Sequence, residues 1–94
     1  MTQSTARIAT PLASRYLQQL CKHFAHKMPV DFTPEHGRIE LRSGVCVLDA
    51  EADTLVLHVE TPDESALENL QEVVKRHLER FAWKDVPQFK WVRQ

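Results

Sequence analysis

Residues 30–59, VDFTPEHGRIELRSGVCVLDAEADTLVLHV, decide the fold. Apolar and polar residues alternate through them, the period-two pattern of strands with one buried face. Three turn signals interrupt the alternation: His36-Gly37, Ser43-Gly44 and Glu51-Ala52. Glycine tolerates positive φ and histidine visits it more readily than most residues, which favours the first of these. A two-residue turn fixes a register, so each can be judged by the pairs it creates. The first sets Asp31 opposite Arg42, Glu35 opposite Arg38, Phe32 opposite Leu41 and Pro34 opposite Ile39. The second pairs Leu41 with Cys46 and Ile39 with Leu48, and the third pairs Leu48 with Leu55 and Cys46 with Leu57. Together they collect Val30, Phe32, Ile39, Leu41, Cys46, Leu48, Leu55, Leu57 and Val59 on one face of a four-stranded antiparallel meander. A one-residue slip at any turn would scatter that face, so three turns agreeing on it is a strong internal check.

That face needs a cover, and the flanking segments supply one. From Thr10 to Lys27, Ala13, Tyr16, Leu17, Leu20 and Phe24 fall on one helical stripe, with Arg15, Gln18, Gln19, Lys22 and His26 opposite. Thr10 suits an N-cap and Pro11 the first helical position. Met28-Pro29 ends the pattern. A second helix starts at Thr61-Pro62-Asp63-Glu64 and runs to about Phe81. Its stripe is Leu67, Leu70, Val74, Leu78 and Phe81, with Val73 and His77 on one shoulder. Gln88-Phe89-Lys90-Trp91-Val92 alternates again as a last strand, and Ala6 to Thr10 is a short strand signal before the first helix. The expected architecture is α+β: a two-layer sandwich in which an antiparallel sheet, the four-stranded meander plus a C-terminal strand, carries two helices on one face.

Length bounds the rest. Ninety-four residues, 43% hydrophobic and 27% charged, make one folded domain spanning 1–94 and leave no room for a second core. No apolar run approaches the roughly 20 residues of a membrane span, and the first residues lack the apolar centre of a secretory signal, so a cytoplasmic protein is expected. Cys21 and Cys46 stand in apolar patterns and are expected as core thiols rather than a disulfide. Val45, Val47 and Val56 point away from the helices beside Thr54 and His58, which suggests contact with a second copy of the chain.

The net charge of −1 hides an uneven distribution: residues 31–72 carry −9 and the remainder +8. Arg15, Lys22, Arg76 and Lys84 on basic helix faces would suit an anion or nucleic acid, although the overall balance is far from the basic excess of a nucleic-acid domain. Trp83 and Trp91 are expected to pack rather than to stack on bases.

Enzyme signatures are missing. Two glycines, Gly37 and Gly44, cannot build a dinucleotide or phosphate loop, and neither HExxH, CxxC nor a nucleophile elbow is present. Glu51, Asp53, Asp63 and Glu64 are accounted for by turns and a helix start. A non-enzymatic protein without a cofactor is expected. The five histidines remain. His23 and His26, at i and i+3, share a helix flank with Gln19 and could bind a metal ion together with further ligands from elsewhere, while Cys21 lies about 200° from His23 and is excluded. His23 and His77 occupy the same shoulder of their two stripes. If the helices pack antiparallel, both rings enter the groove between them, with Lys27 or Arg80 at its border, giving a semi-polar pocket able to titrate near neutral pH or hold a small anion.

The runs Arg15 to Lys27, Glu35-His36-Gly37-Arg38-Ile39 and His77-Leu78-Glu79-Arg80-Phe81-Ala82 together resemble a bacterial family catalogued as domain of unknown function 2218. The resemblance covers nearly the whole chain. It implies a small stand-alone bacterial protein. A similar domain is sometimes attached to flavin-dependent siderophore reductases, so the resemblance also implies a link to iron or siderophore utilisation and such a reductase as a partner. It brings no established functional residues with it.

Overall fold

A computed structural model describes residues 2–81 and 91–93 of the chain, the side chain of Phe81 excepted. Among the described residues eight elements follow one another: β1 (Thr2–Ala9), α1 (Ala13–Ala25), β2 (Val30–Phe32), β3 (His36–Leu41), β4 (Gly44–Glu51), β5 (Thr54–Thr61), α2 (Glu64–Phe81) and β6 (Trp91–Arg93). The strands form one six-stranded sheet in the order β2-β3-β4-β5-β1-β6, with every neighbouring pair antiparallel. Helix α1 covers β2 to β5, and α2 covers β4, β5 and β1 on the same side. The α+β sandwich expected from the pattern is the fold, with one more strand than expected.

That sixth strand comes from β1, which is longer than its sequence signal. Its inward positions are Ser4, Ala6 and Ile8, paired with Val59, Leu57 and Leu55. Ser4 is fully buried, and the Gln71 side-chain amide of α2 donates to its hydroxyl at 2.7 Å. The cost of burying that hydroxyl is offset by a designated partner. A polar residue at a core position conceals the alternation, which explains why only the second half of the strand reads as one.

The meander keeps the expected faces but none of the expected registers. Phe32 pairs with Gly37, Ile39 with Cys46 and Leu48 with Leu57. The turns are therefore Thr33-Pro34-Glu35, Arg42-Ser43 and Ala52-Asp53. Each register differs from the expected one by an even number of residues, so every inward side chain stays inward. At the first turn, Thr33 Oγ1 accepts the N–H groups of Glu35 and His36 at 3.3 and 3.1 Å, and Thr33 N–H donates to the His36 carbonyl at 2.7 Å. Proline with a preceding hydroxyl residue is the stronger turn former here. Asp31 consequently lies opposite Arg38, and Arg42 sits in the next turn.

The glycines serve the strands instead. No described residue has positive φ. A Cβ on Gly37 would stand 2.7 Å from Cys21 Sγ, and one on Gly44 would meet the Glu60 carbonyl oxygen. Both positions are bare because a helix or a neighbouring strand comes too close for a side chain.

The core contains the predicted inward set: Ile39, Cys46, Leu48, Leu55, Leu57 and Val59 are fully buried, and Val30, Phe32 and Leu41 pack at its margin. From α1 come Ala13, Tyr16, Leu17, Leu20, Cys21 and Phe24, and from α2 Leu67, Leu70, Val74 and Leu78. Both thiols are free and buried; burial pushes Cys21 up to about 11 and raises Cys46 further. Helix α1 begins two residues later than its sequence suggests. Thr10 Oγ1 accepts the Leu12 N–H at 3.1 Å in a turn before the helix, and Leu12, at the N-cap, makes no side-chain cap. For α2 the cap is Asp63, whose Oδ1 accepts the Ala66 N–H at 2.8 Å, while Thr61 ends β5.

Among the described residues, the second face of the sheet carries no helix. Val56 is nonetheless buried there, and Val45 and Val47 are half-buried, standing opposite Glu40 and Arg38 of β3. Thr5 and His58 share a 2.9 Å hydrogen bond in the same row. Among described residues only Leu12 and Val92 are large apolar side chains left exposed. The expected last strand is present as Trp91–Arg93, with Trp91 against the core; Trp83, Lys84 and Phe89 lie outside the described residues.

Candidate functional site

The two helices meet near His23, in the last turn of α1, and His77, four residues before the last residue of α2. Their ring centroids are 4.9 Å apart and tilted by 49°. Phe24 completes the cluster, 4.8 Å from the His77 ring and 5.6 Å from that of His23. The contact joins the C-terminal parts of both helices. Antiparallel packing would have set the end of α1 against the start of α2, so the expected meeting of the two rings is realised by a different helix arrangement.

Local chain geometry builds the rest. The N–H groups of Lys27 and Met28 both donate to the Phe24 carbonyl, at 3.0 and 2.9 Å. This folds the chain tightly beyond the helix, and Pro29, without an N–H, carries it away toward β2. Lys27 and Met28 are thereby placed over the ring cluster. The result is a cavity of about 330 Å³ lined by His23, Phe24, His26, Lys27, Met28, Val73 and His77. That volume lies at the small end of the ~300–1,000 Å³ usual for ligand pockets.

Its polar chemistry is one-sided. His77 Nδ1 lies 2.7 Å from the Val73 carbonyl oxygen, which can only accept, so Nδ1 carries a proton. Neutral His77 then holds its lone pair on Nε2, and protonated His77 offers a second N–H there. His23 is held below the usual histidine pKa, first by burial and then by His77, Arg80, His26 and Lys27. All four neighbours are potential cations. The negative ends of two helix dipoles lie nearby and favour positive charge, each by about 0.3–1 kcal/mol, yet the balance at His23 still opposes its proton. Among the described residues no acidic side chain lines the cavity, and neither Lys27 nor Arg80 forms an ion pair.

Of the candidate ligand-binding residues, His23, Lys27 and His77 line the cavity directly, and Arg80 acts on His23 from its border. The apolar wall of Phe24, Met28 and Val73 was not singled out as part of a site. Met28 had an independent signal in its position immediately after a helix, where a flexible thioether suits an adaptable wall. His23 and His26 both line the cavity, but among the described residues no three His, Cys, Asp or Glu side chains gather closely enough to hold a metal ion. Arg15 and Lys22 border a separate hollow on the outer side of α1 together with Pro11, Leu12, Ser14, Gln18 and Gln19. No helix of the described chain is long and apolar enough to cross a membrane.

Residues 5–92 match the model of a family described as "Uncharacterized protein conserved in bacteria (DUF2218)". Among solved structures, the NMR structure of PA4090 from Pseudomonas aeruginosa is similar to this chain, with 38% identity, a TM-score of 0.82, and coverage of 98% of this chain and 96% of that one. No curated protein matches. Neither description names iron, a siderophore or a reductase.

Proposed function

Because the chain belongs to the DUF2218 family of uncharacterised bacterial proteins, whose description carries no activity, its function has to be read from its own side chains, and we propose a non-enzymatic binding domain that holds a small organic anion between α1 and α2. The observation that carries this is an apolar cavity whose described lining adds His26, Lys27 and His77 as polar donors and no carboxylate. Phe24, Met28 and Val73 supply an apolar wall, and His26, Lys27 and His77 supply donors, with no carboxylate among the described lining residues. Anions complete such a site: a carboxylate satisfies several donors at once, and its apolar body takes the wall. Charge-assisted hydrogen bonds of this kind are about twice as strong as neutral ones. His77 suits the role, since its Nδ1–H stays on the Val73 carbonyl and leaves Nε2 for a ligand.

Titration of isotope-labelled protein with octanoate, octanol and octylammonium, followed by amide and imidazole NMR shifts, tests the proposal. Octanoate is expected to shift His23, Lys27, Val73 and His77 in a saturable way, octanol less strongly and octylammonium not at all. His77→Gln weakens octanoate binding several-fold without unfolding the protein. Equal responses to all three probes, or none at millimolar concentration, would refute an anion site.

A further inference from the structure

The His23 cavity is not closed on every side. Lys27 and Met28, which form one of its walls, also line a second and wider hollow of about 640 Å³ together with Pro29, Glu40, Leu41 and Arg42. This hollow runs along the end of β2 and β3 to the β3-β4 turn, where Arg42 stands. It is held open by backbone: the Glu40 N–H donates to the Pro29 carbonyl at 3.0 Å, fixing the start of β2 against β3. Its apolar floor is Met28, Pro29 and Leu41, and its two ends are marked by cations.

The charges along this path differ in how they are employed. Arg38 pairs with Glu40 at 3.3 Å, and Arg93 pairs with Glu64. Glu40, the one acidic residue among the described residues of the second hollow, is therefore engaged with Arg38. Lys27 and Arg42 form no ion pair or side-chain hydrogen bond among the described residues. Two uncompensated cations thus flank one apolar path, Lys27 where the two hollows join and Arg42 at the far turn.

From this continuity we infer that the ligand is an elongated molecule with an acidic group at each end of an apolar chain. One acid occupies the His23, His77 and Lys27 cavity, the chain lies over Met28 and Leu41, and the second acid reaches Arg42. This rests on the anion site proposed above and extends it: Arg42 becomes the residue that distinguishes a diacid from a monoacid. An exposed arginine sets the size of the effect. Pairs of that kind give only a few-fold in affinity, and salt screens them.

The experiment compares hexanoate, octanoate and decanoate with the diacids of the same lengths, adipate, suberate and sebacate, by NMR titration of the wild type, Lys27→Gln and Arg42→Gln. The expected result is that the longer diacids bind roughly threefold to fivefold more tightly than the matching monoacids. They alone should shift the Leu41 and Arg42 amides, and added salt should erase the difference. Arg42→Gln should abolish the diacid preference and leave monoacid affinity unchanged, whereas Lys27→Gln should weaken both classes. If monoacids bind and diacids bind no better, or if Arg42→Gln leaves a diacid preference intact, the extended site is overturned and the anion cavity stands. Failure of every acid to bind overturns both.

Discussion

Gly37→Ala tests how closely α1 is seated on the sheet. Gly37 lies in β3 beneath the helix, and a Cβ there would stand 2.7 Å from Cys21 Sγ and 3.5 Å from Leu17 Cδ2 and Phe32 Cβ. Contacts at 3.5 Å are ordinary; the sulfur contact falls about 1 Å short of the ~3.5–4.0 Å that non-bonded heavy atoms prefer. Cys21 is fully buried, so its side chain has nowhere inexpensive to turn. Overpacking of this kind costs about 1–3 kcal/mol. Against it, replacing glycine removes unfolded-state freedom worth about 0.4–1 kcal/mol, and φ is not positive at Gly37, so alanine fits the backbone. A net destabilisation of about 1–2 kcal/mol is expected. Cys21→Ala alone deletes one buried heavy atom and should cost about 1 kcal/mol, near the 0.5–1.5 kcal/mol of an Ile→Val change. In the double variant the new methyl takes the space of the lost sulfur, so its stability should be within about 0.5 kcal/mol of the wild type. The two effects then couple by about 2 kcal/mol. Urea unfolding monitored by circular dichroism measures this: at m of about 1–3 kcal/mol/M, each single variant shifts the midpoint by roughly 0.5–1 M and the double variant hardly at all. Additivity within about 0.5 kcal/mol would refute the proposed contact, because independent sites add.

Asp63→Ala removes the side-chain acceptor of the Ala66 N–H and should lower stability by about 0.5–2 kcal/mol, measurable as a drop in melting temperature; Thr61→Val should not reproduce a lost helix cap. Both thiols should resist a disulfide reagent at pH 8 in the folded protein and react together after denaturation, since Cys21 is raised to about 11 and Cys46 higher still. Early reaction of one thiol would contradict its burial. His23 gives a pH signature. Its folded-state pKa lies below the unfolded value near 6.5, lowered by burial and by His77, Arg80, His26 and Lys27, so the unfolded chain takes up the proton first. Its contribution to stability is intact above that range and is lost as pH falls through it. Stability of the wild type should decline more steeply between about pH 7.5 and 5.5 than that of His23→Gln. An anion in the cavity favours protonation and reverses the trend for binding, which should strengthen as pH falls; matching profiles in wild type and variant would exclude the role of His23.

The faces of the meander were legible because side-chain direction repeats every two residues. A turn misplaced by one residue on both strands moves the register by two and leaves Ile39, Cys46, Leu48 and Leu57 inward. The turn positions themselves were not legible, because glycine was weighed as a turn former when Gly37 and Gly44 are demanded by close approach of Cys21 and of the β5 backbone. No local pattern contains that information, since the neighbours are distant in sequence. Strand β1 was concealed for a related reason: Ser4 is inward only because Gln71 provides it with a partner. The pairing of His23 with His77 followed from their shared position at the shoulder of each stripe. The relative direction of the helices was beyond that pattern, and so was the continuation past Met28 toward Arg42, which depends on where the β3-β4 turn falls.

The place of β1 in the sheet has a bearing on how the chain is made. It is made before the other strands of the sheet, yet it lies between β5 and β6, with Thr2 across from Thr61 and Ser4 across from Arg93. During synthesis it has to wait, unpaired, until β5 has emerged. Such distant partners make for slow folding, in the millisecond-to-second range typical of non-local sheets. A waiting strand with exposed edges invites association with other nascent chains. The hydrophilic opening Thr2-Gln3-Ser4-Thr5 keeps that early segment from being sticky, so the same residues that obscure the strand guard it until its place in the sheet exists.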